Sequence, residues 1–287
     1  MLPPVFGVLF DGMAYGMLLF LLSVGLSVTL GLMNFVNLAH CAFAMVGGYV
    51  AVLLMRNFGW PFFGTLPMAF LAAAAVSIVF ERVLYRPLYR RSDLDQVLLT
   101  VGIAFISVAV AAYFFGTQLQ PIEVPNYMRG SFHVMGLDIA VYRLFLVAVG
   151  AAITILLVGT IELTRFGAQV RAAVDNQRMA SGLGINVERT FAITFALGSG
   201  LAGLGGALAI EIVGLDPNFA FTYLIYVLIV VAVGGLGSIA GSLAAAILIG
   251  VSDIAGKYYV PELGAFLIYL VMLAVLLWRP AGLLGRR

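Results

Sequence analysis

The chain has 287 residues, of which 63% are hydrophobic and 10% charged, and its mean hydropathy is +1.12. Soluble globular proteins carry about 25% charged residues, so this composition excludes that class and indicates a polytopic membrane protein. A net charge of +2 gives no reason to expect a nucleic-acid partner, and the single cysteine, Cys41, excludes an internal disulfide and any multi-cysteine metal site.

Nine apolar runs follow one another along the chain, several of them as long as the roughly 20 residues that cross a bilayer as a helix. They cover residues 6–31, 42–54, 60–80, 97–115, 139–161, 190–213, 219–233, 242–254 and 263–278. The runs are too continuous for the alternating pattern of membrane β-strands. We therefore expect an all-α fold, a polytopic transmembrane helical bundle with 8–9 membrane-crossing segments, forming a single domain over residues 1–287.

Arginine residues are concentrated in three of the polar segments. Of the 14 arginines, four lie in residues 82–91, four in 165–189 and three in 279–287. Cytoplasmic loops of membrane proteins are enriched in arginine and lysine. The pattern therefore predicts that these three segments, including the C-terminus, are cytoplasmic. Nine crossings would place the N-terminus outside.

Two interruptions, at residues 33–40 and 234–238, resemble each other because each places glycine or polar residues between two apolar runs. Transporters often contain two inverted halves whose broken helices line the substrate path. A simple helical hairpin at each point is the alternative. The candidate path residues are Asn34, Asn37, His40, Gly234, Gly235 and Ser238. The asparagines and the histidine either contact a polar solute or bond to neighbouring helices, the commoner use of buried polar groups in membranes.

The longest polar interruption spans residues 163–189. The periodicity predicts an amphipathic helix over residues 166–180, with Arg171, Asp175 and Arg178 on one face and apolar side chains on the other. Gly182 and Gly184 are expected to end it. Such a helix between two spans can dock on a protein outside the bilayer, serve as a solvated connector, or lie on lipid headgroups.

Several kinds of chemistry have no counterpart in the sequence. The one lysine, Lys257, does not belong to a phosphate-binding loop, and neither His40 nor His133 has the spacing of a metal site. No serine lies in a nucleophile elbow, and the spans hold no row of acids of the kind that proton-coupled pumps use. We expect neither an enzyme nor a bound cofactor or metal.

Five stretches together form a family pattern. They are NLAHCAFAMVGGYV (37–50), ERVLYRPL (81–88), RFGAQVRAAVDNQRMASGLGINVERTFAITFALGSGLAG (165–203), GGLGSIAGSLAAAILIG (234–250) and RPAGLLGR (279–286). The chain resembles, over essentially its full length, the permease subunits of branched-chain amino acid ABC importers, in particular the shorter of their two usual permeases. Two positions depart from the family pattern, which commonly has glycine at Cys41 and proline at Ala240.

The resemblance implies partners that the residues alone do not identify. It implies a second permease, identical or different, two cytoplasmic ATPases that bind ATP and Mg²⁺, and a periplasmic substrate-binding protein, all at a bacterial inner membrane. Solutes of such systems include branched-chain amino acids, amides, urea and aromatic acids. The segment 163–189 matches the ATPase-coupling loop, with candidate residues Arg165, Gly167, Arg171, Asp175, Arg178, Ala180, Gly184 and Asn186. A secondary transporter or channel of the inverted-repeat type is the alternative.

Overall fold

The computed structural model describes residues 4–33, 35–89, 91–122, 124–134 and 137–285. Most of these residues are helical. The helices are α1 (Pro4–Met33), α2 (His40–Phe58), α3 (Phe62–Phe80), α4 (Asp93–Phe115), α5 (Val141–Leu163), α6 (Arg165–Asp175), α7 (Gln177–Gly182), α8 (Val187–Val213), α9 (Phe219–Gly234), α10 (Ile239–Tyr259) and α11 (Gly264–Trp278). The predicted all-α polytopic bundle is confirmed.

Within the described residues, seven helices are long and apolar enough to cross a membrane. Two further apolar helices, α9 and α11, have 16 and 15 residues. At 1.5 Å per residue they extend over about 24 and 23 Å, somewhat less than the roughly 30 Å of hydrocarbon in a bilayer. These nine helices correspond to the nine apolar runs, in agreement with 8–9 membrane-crossing segments.

The connection between α4 and α5 contains a small element that the apolar pattern did not predict. Strands β1 (Ser131–Val134) and β2 (Leu137–Ala140) form an antiparallel hairpin. The fifth span was predicted to begin at residue 139, whereas α5 begins at Val141, because the preceding residues pair as a strand. The same connection is tied to the end of α8, where Gln120 N donates a 2.8 Å hydrogen bond to Leu215 O.

The most deeply buried spanning helix is α8, and glycines set how closely its neighbours approach. A Cβ at Gly25 in α1 would overlap the backbone of Gly198 in α8, and a Cβ at Gly47 in α2 would overlap that of Gly203. Small residues at such crossings allow helices to associate through close van der Waals contact. This packing matters within a membrane because the hydrophobic effect does not drive helix association there. These contacts make α8 the centre of the bundle.

Beyond Phe80, α3 continues into an irregular extension. A π-helical turn covers Glu81–Tyr85, and a 3-10 turn covers Arg86–Leu88. Glu81 and Tyr85 are buried, whereas Arg82 and Arg86 are exposed. The sequence stretch ERVLYRPL thus presents its arginines outward and its acid inward.

Candidate functional site

The polar segment 163–189 folds as two short helices, not as the single helix predicted over residues 166–180. Helix α6 ends at Asp175, and Asn176 has an extended backbone with φ −156° and ψ 99°. Asn176 then caps α7, its Oδ1 accepting a 3.0 Å hydrogen bond from Met179 N. Asparagine favours such caps over helix interiors, because its side chain competes with the helix for backbone hydrogen bonds. The spacing of apolar residues gives no information about this competition.

The break at Asn176 changes which side chains share a face. Arg178 belongs to α7, so the single polar face predicted for Arg171, Asp175 and Arg178 is wrong. Gly184 has φ +84° and follows the end of α7, which confirms its predicted role in ending the helix. Gly182 remains the last helical residue of α7.

The inner face of α6 is fixed to the end of α5. Gly167, Val170 and Ala173 are buried, and a Cβ at Gly167 would overlap the Ile161 carbonyl group. Arg171 is half-buried, and its guanidinium donates a hydrogen bond to the same carbonyl oxygen. Two neighbouring contacts on one carbonyl hold α6 against the end of α5. Arg171 therefore anchors α6 to the end of α5.

The outer surface of the segment combines charge with exposed apolar side chains. Arg165, Asp175 and Arg178 are exposed, and so are two apolar residues that the sequence reasoning missed, Met179 at 68% and Leu183 at 81%. Large apolar groups exposed beside arginines, outside the spanning helices, are typical of a protein-binding surface. We call Arg178, Met179 and Leu183 the α7 surface.

The remaining candidate residues of this segment support its shape. Ala180 is 2% exposed and holds α7 against the bundle. Asn186 is exposed and caps α8, its Oδ1 accepting a 2.9 Å hydrogen bond from Arg189 N. The apolar face of the segment lies toward the bundle and the α7 surface lies outward, which resolves an orientation that the sequence left open.

The first interruption is a non-helical segment whose backbone is satisfied by α4. Val36 N donates to Gln96 Oε1 at 2.9 Å, and Leu38 N donates to Thr100 Oγ1 at 3.2 Å. Gln96 and Thr100 are both buried. Irregular backbone at membrane depth requires such partners. Sequence reasoning missed both residues, although a glutamine directly before an apolar span was a usable signal.

The candidate path residues of this interruption lie inside the protein. Asn37 is fully buried, and its Oδ1 accepts a 3.1 Å hydrogen bond from Ala39 N. His40 is 1% exposed, and its Nε2 donates to Leu22 O in α1 at 3.0 Å. Asn37 Nδ2 and His40 Nδ1 have no hydrogen-bond partner among the described residues. Asn34 lies outside the described residues. The observed hydrogen bonds show structural roles for Asn37 and His40.

The second interruption is a glycine turn between α9 and α10. Gly235 and Gly237 have φ values of +94° and +75°, which glycine adopts without strain. Ser238 caps α10, its Oγ accepting a 3.0 Å hydrogen bond from Gly241 N. At the start of the turn, Leu284 N donates a 3.2 Å hydrogen bond to Gly234 O, so the C-terminal segment covers the end of α9.

The two interruptions lie next to each other at the end of α1. A Cβ at Gly31, two residues before α1 ends, would overlap the backbone of Gly237 in the second interruption. The sequence predicted only that the interruptions were similar in kind. Their contact is a property of the folded chain, and it connects the candidate path residues to the C-terminal segment.

Aromatic side chains surround the first interruption on the arginine-rich side. Phe35 packs against Tyr85 at 5.1 Å and against Phe195 at 6.4 Å between ring centroids. Tyr89 donates a 3.1 Å hydrogen bond to Glu81. Burial, together with the Glu81 carboxylate, raises the pKa of the Tyr89 hydroxyl, so it keeps its proton and remains a donor. The ERVLYRPL stretch therefore supports the interruption from behind.

One acidic residue within a span was overlooked by the sequence reasoning. Asp253 in α10 is fully buried, and Lys257 Nζ lies 2.5 Å from its Oδ2. The Lys257 ammonium also lies 5.9 Å from the centroid of the Tyr15 ring. The pair is separated by four residues on one helix, so it neutralises the acid locally.

Comparison with known proteins gives a consistent result. The family model described as branched-chain amino acid transport system / permease component matches residues 8–276. The chain is 27% identical to the high-affinity branched-chain amino acid transport system permease protein BraD of Pseudomonas aeruginosa, covering 97% of the chain and 95% of that protein.

Two similar proteins come from one organism, Escherichia coli strain K12. The permease protein LivH is 26% identical, over 97% of this chain and 94% of LivH. The permease protein LivM is 24% identical, over 93% of this chain but only 68% of LivM. The match therefore extends over nearly all of LivH but only about two thirds of LivM.

Proposed function

The chain belongs to the family of branched-chain amino acid transport system permease components, and on this basis we propose that it is the inner-membrane permease subunit of an ATP-binding-cassette importer. Its solutes are branched-chain amino acids or related small polar solutes such as amides, urea and aromatic acids. It is one transmembrane permease domain that forms the translocation path and carries the ATPase-coupling loop at 163–189. ATP and Mg²⁺ are bound by two partner ATPases on the cytoplasmic side.

The observation that carries this proposal is the arrangement of α6 and α7. The α7 surface exposes Arg178, Met179 and Leu183 on the arginine-rich side, where an ATPase would bind. Behind it, Gly167 and Arg171 attach α6 to the Ile161 carbonyl at the end of α5. When the two ATPases close, they would push α7, and the α6 attachment would carry that displacement into a spanning helix. Coupling of this kind requires contacts that differ between the two states of the transporter.

A second, different permease is the partner that the comparisons favour. Escherichia coli has both LivH and LivM as permease proteins of a high-affinity branched-chain amino acid transport system, and this chain is similar to both. The chain matches nearly all of LivH but only about two thirds of LivM, so we propose that it pairs with a LivM-like chain. A periplasmic substrate-binding protein would deliver the solute from the opposite side, and the C-terminus would be cytoplasmic.

The test is uptake by the purified complex in proteoliposomes. The chain should co-isolate with ATPase subunits, and uptake of labelled leucine should require internal ATP and external binding protein. Competition by isoleucine, by a short amide, by urea and by an aromatic acid would rank the solutes. Leucine uptake that survives ATP depletion, by a chain that isolates without an ATPase, would favour a secondary transporter instead.

A further inference from the structure

A groove between α3 and α8 lies beside the coupling segment and shares Asn186, Glu188 and Arg189 with it. It has a volume of about 710 Å³ and lies at the arginine-rich end of the two helices. Its apolar walls are formed by Phe70, Ala74 and Ile78 on α3 and by Ile193 and Leu197 on α8. The ERVLYRPL stretch, which the coupling mechanism leaves without a task, forms its mouth.

The charges at the mouth favour an anion. Arg82 and Arg189 line the groove and are exposed, and neither forms an ion pair with another described residue. Arg86 is paired with Glu188 across the mouth, which joins the extension of α3 to the first turn of α8. Glu81, the other acid there, is 2% exposed and accepts the Tyr89 hydrogen bond. Three arginines therefore face two acids at the mouth, which leaves one net positive charge, and Arg82 and Arg189 are the arginines that form no ion pair with another described residue.

The dimensions fit one leaflet of a bilayer. From residue 70 to residue 82 the chain rises about 18 Å at 1.5 Å per residue, close to half of the roughly 30 Å hydrocarbon thickness. Large apolar side chains flank the groove and are exposed, with Leu71 at 56%, Val79 at 59% and Val83 at 65%. An exposed apolar stripe of this kind on a spanning helix is typical of a surface that faces lipid. The groove is a recess in that surface and ends at guanidinium groups.

We propose that this groove binds one anionic glycerophospholipid. An acyl chain lies along Phe70, Ala74 and Ile78, and the phosphate lies between Arg82 and Arg189. Guanidinium groups recognise phosphate through paired hydrogen bonds as well as charge. The bound lipid fills the space between α3 and α8, and it thereby supports the two elements that flank the first interruption and the coupling segment. Basic pockets between spanning helices on the cytoplasmic side are suited to lipid head groups.

The test uses the full-length chain in nanodiscs that contain equal amounts of phosphatidylglycerol and phosphatidylcholine with the same acyl chains. Native mass spectrometry after extraction counts the lipids retained. The unaltered chain should retain phosphatidylglycerol preferentially. Arg82→Gln and Arg189→Gln should each lower that retention about fivefold, and the double variant about 30-fold. Arg91→Gln, an exposed arginine of the same polar segment outside the groove, is the matched control.

A second set of measurements separates the lipid from other occupants. Ala74→Trp fills the apolar part and should reduce retention with both arginines intact, whereas millimolar inorganic phosphate should not displace the lipid. Arg82→Lys and Arg189→Lys, which keep the charge, should stay within about threefold of the unaltered chain. No preference for phosphatidylglycerol, equal losses in Arg91→Gln, or phosphate displacement without any effect of Ala74→Trp would each overturn the proposal. A photo-crosslinker at Ile78 that captures protein instead of lipid in the assembled complex would do the same.

Discussion

Gly167→Ala should weaken the connection between α6 and α5 without removing any charged or hydrogen-bonding group. The added Cβ would overlap the carbonyl group of Ile161, and that group is backbone, so it cannot rotate away as a side chain would. Helix α6 must therefore move outward, and the hydrogen bond from Arg171 to the same carbonyl lengthens with it.

The size of the effect follows from two opposing contributions. Forcing a methyl group into a packed contact costs about 1–3 kcal/mol. Replacing glycine with alanine inside a helix restores up to about 1 kcal/mol through helix propensity. Because the obstacle is rigid, we expect the upper end, a net loss of about 2 kcal/mol, which corresponds to roughly 30-fold in the equilibrium between attached and detached α6.

The assay is the amount of solute transported per ATP hydrolysed in proteoliposomes that contain the chain with its partner ATPases. This ratio should fall at least about tenfold in Gly167→Ala, while thermal unfolding of the spanning bundle stays close to that of the unaltered chain. Gly182→Ala in α7 is the matched control, because an added Cβ there meets no atom within 4 Å. Gly159→Ala in α5 also has open space and serves as a second control.

The reasoning would be refuted if Gly167→Ala transported as much solute per ATP as Gly182→Ala. An equal loss in both variants would also count against it, because the effect would then belong to helix propensity and not to the contact with Ile161.

Three further predictions follow from other contacts. Leu183→Asp should reduce co-purification of ATPase subunits at least about tenfold, because it places a charge in the apolar part of the α7 surface. The control is Leu94→Asp, at an exposed leucine in the first turn of α4, which should leave co-purification unchanged. Equal losses in the two variants would contradict the assignment of the α7 surface. Gln96→Leu should lower the free energy of unfolding by about 1–3 kcal/mol in thermal melts, because the Val36 N–H loses its hydrogen-bond partner in a buried site. The control is Thr154→Val, which removes only a hydrogen bond within α5 and should have little effect in the same melts. Asp253→Asn should destabilise the bundle by about 1–2 kcal/mol. This is less than the loss expected on breaking a fully buried ion pair, because Lys257 is about half exposed. The double variant Asp253→Leu with Lys257→Leu should recover most of the loss, and a double variant as unstable as the single one would contradict the role of the pair.

The number and order of the apolar helices could be predicted from sequence because both depend on local composition. Each apolar run corresponds to a helix, and the clustering of arginines in residues 82–91 and 165–189 needs no tertiary information to be read. The family pattern, too, is carried by short contiguous stretches such as GGLGSIAG, and the family model confirms it.

The parts that required the tertiary structure depend on contacts between distant residues. Asn176 breaks the coupling segment because its side chain caps α7, so Arg178 left the face predicted for it and Arg171 became an anchor on Ile161. Periodicity treats every residue as continuing the helix and cannot register such competition.

The same limit applies inside the membrane. The sequence indicated two similar interruptions, but only the fold brings Gly31 against Gly237 and supplies Gln96 and Thr100 to the backbone of the first. Composition determines that a segment leaves water, because transfer free energy is a sum over residues. Which buried backbone group meets which partner depends on residues 60 and 62 positions apart in the chain, and packing brings them together.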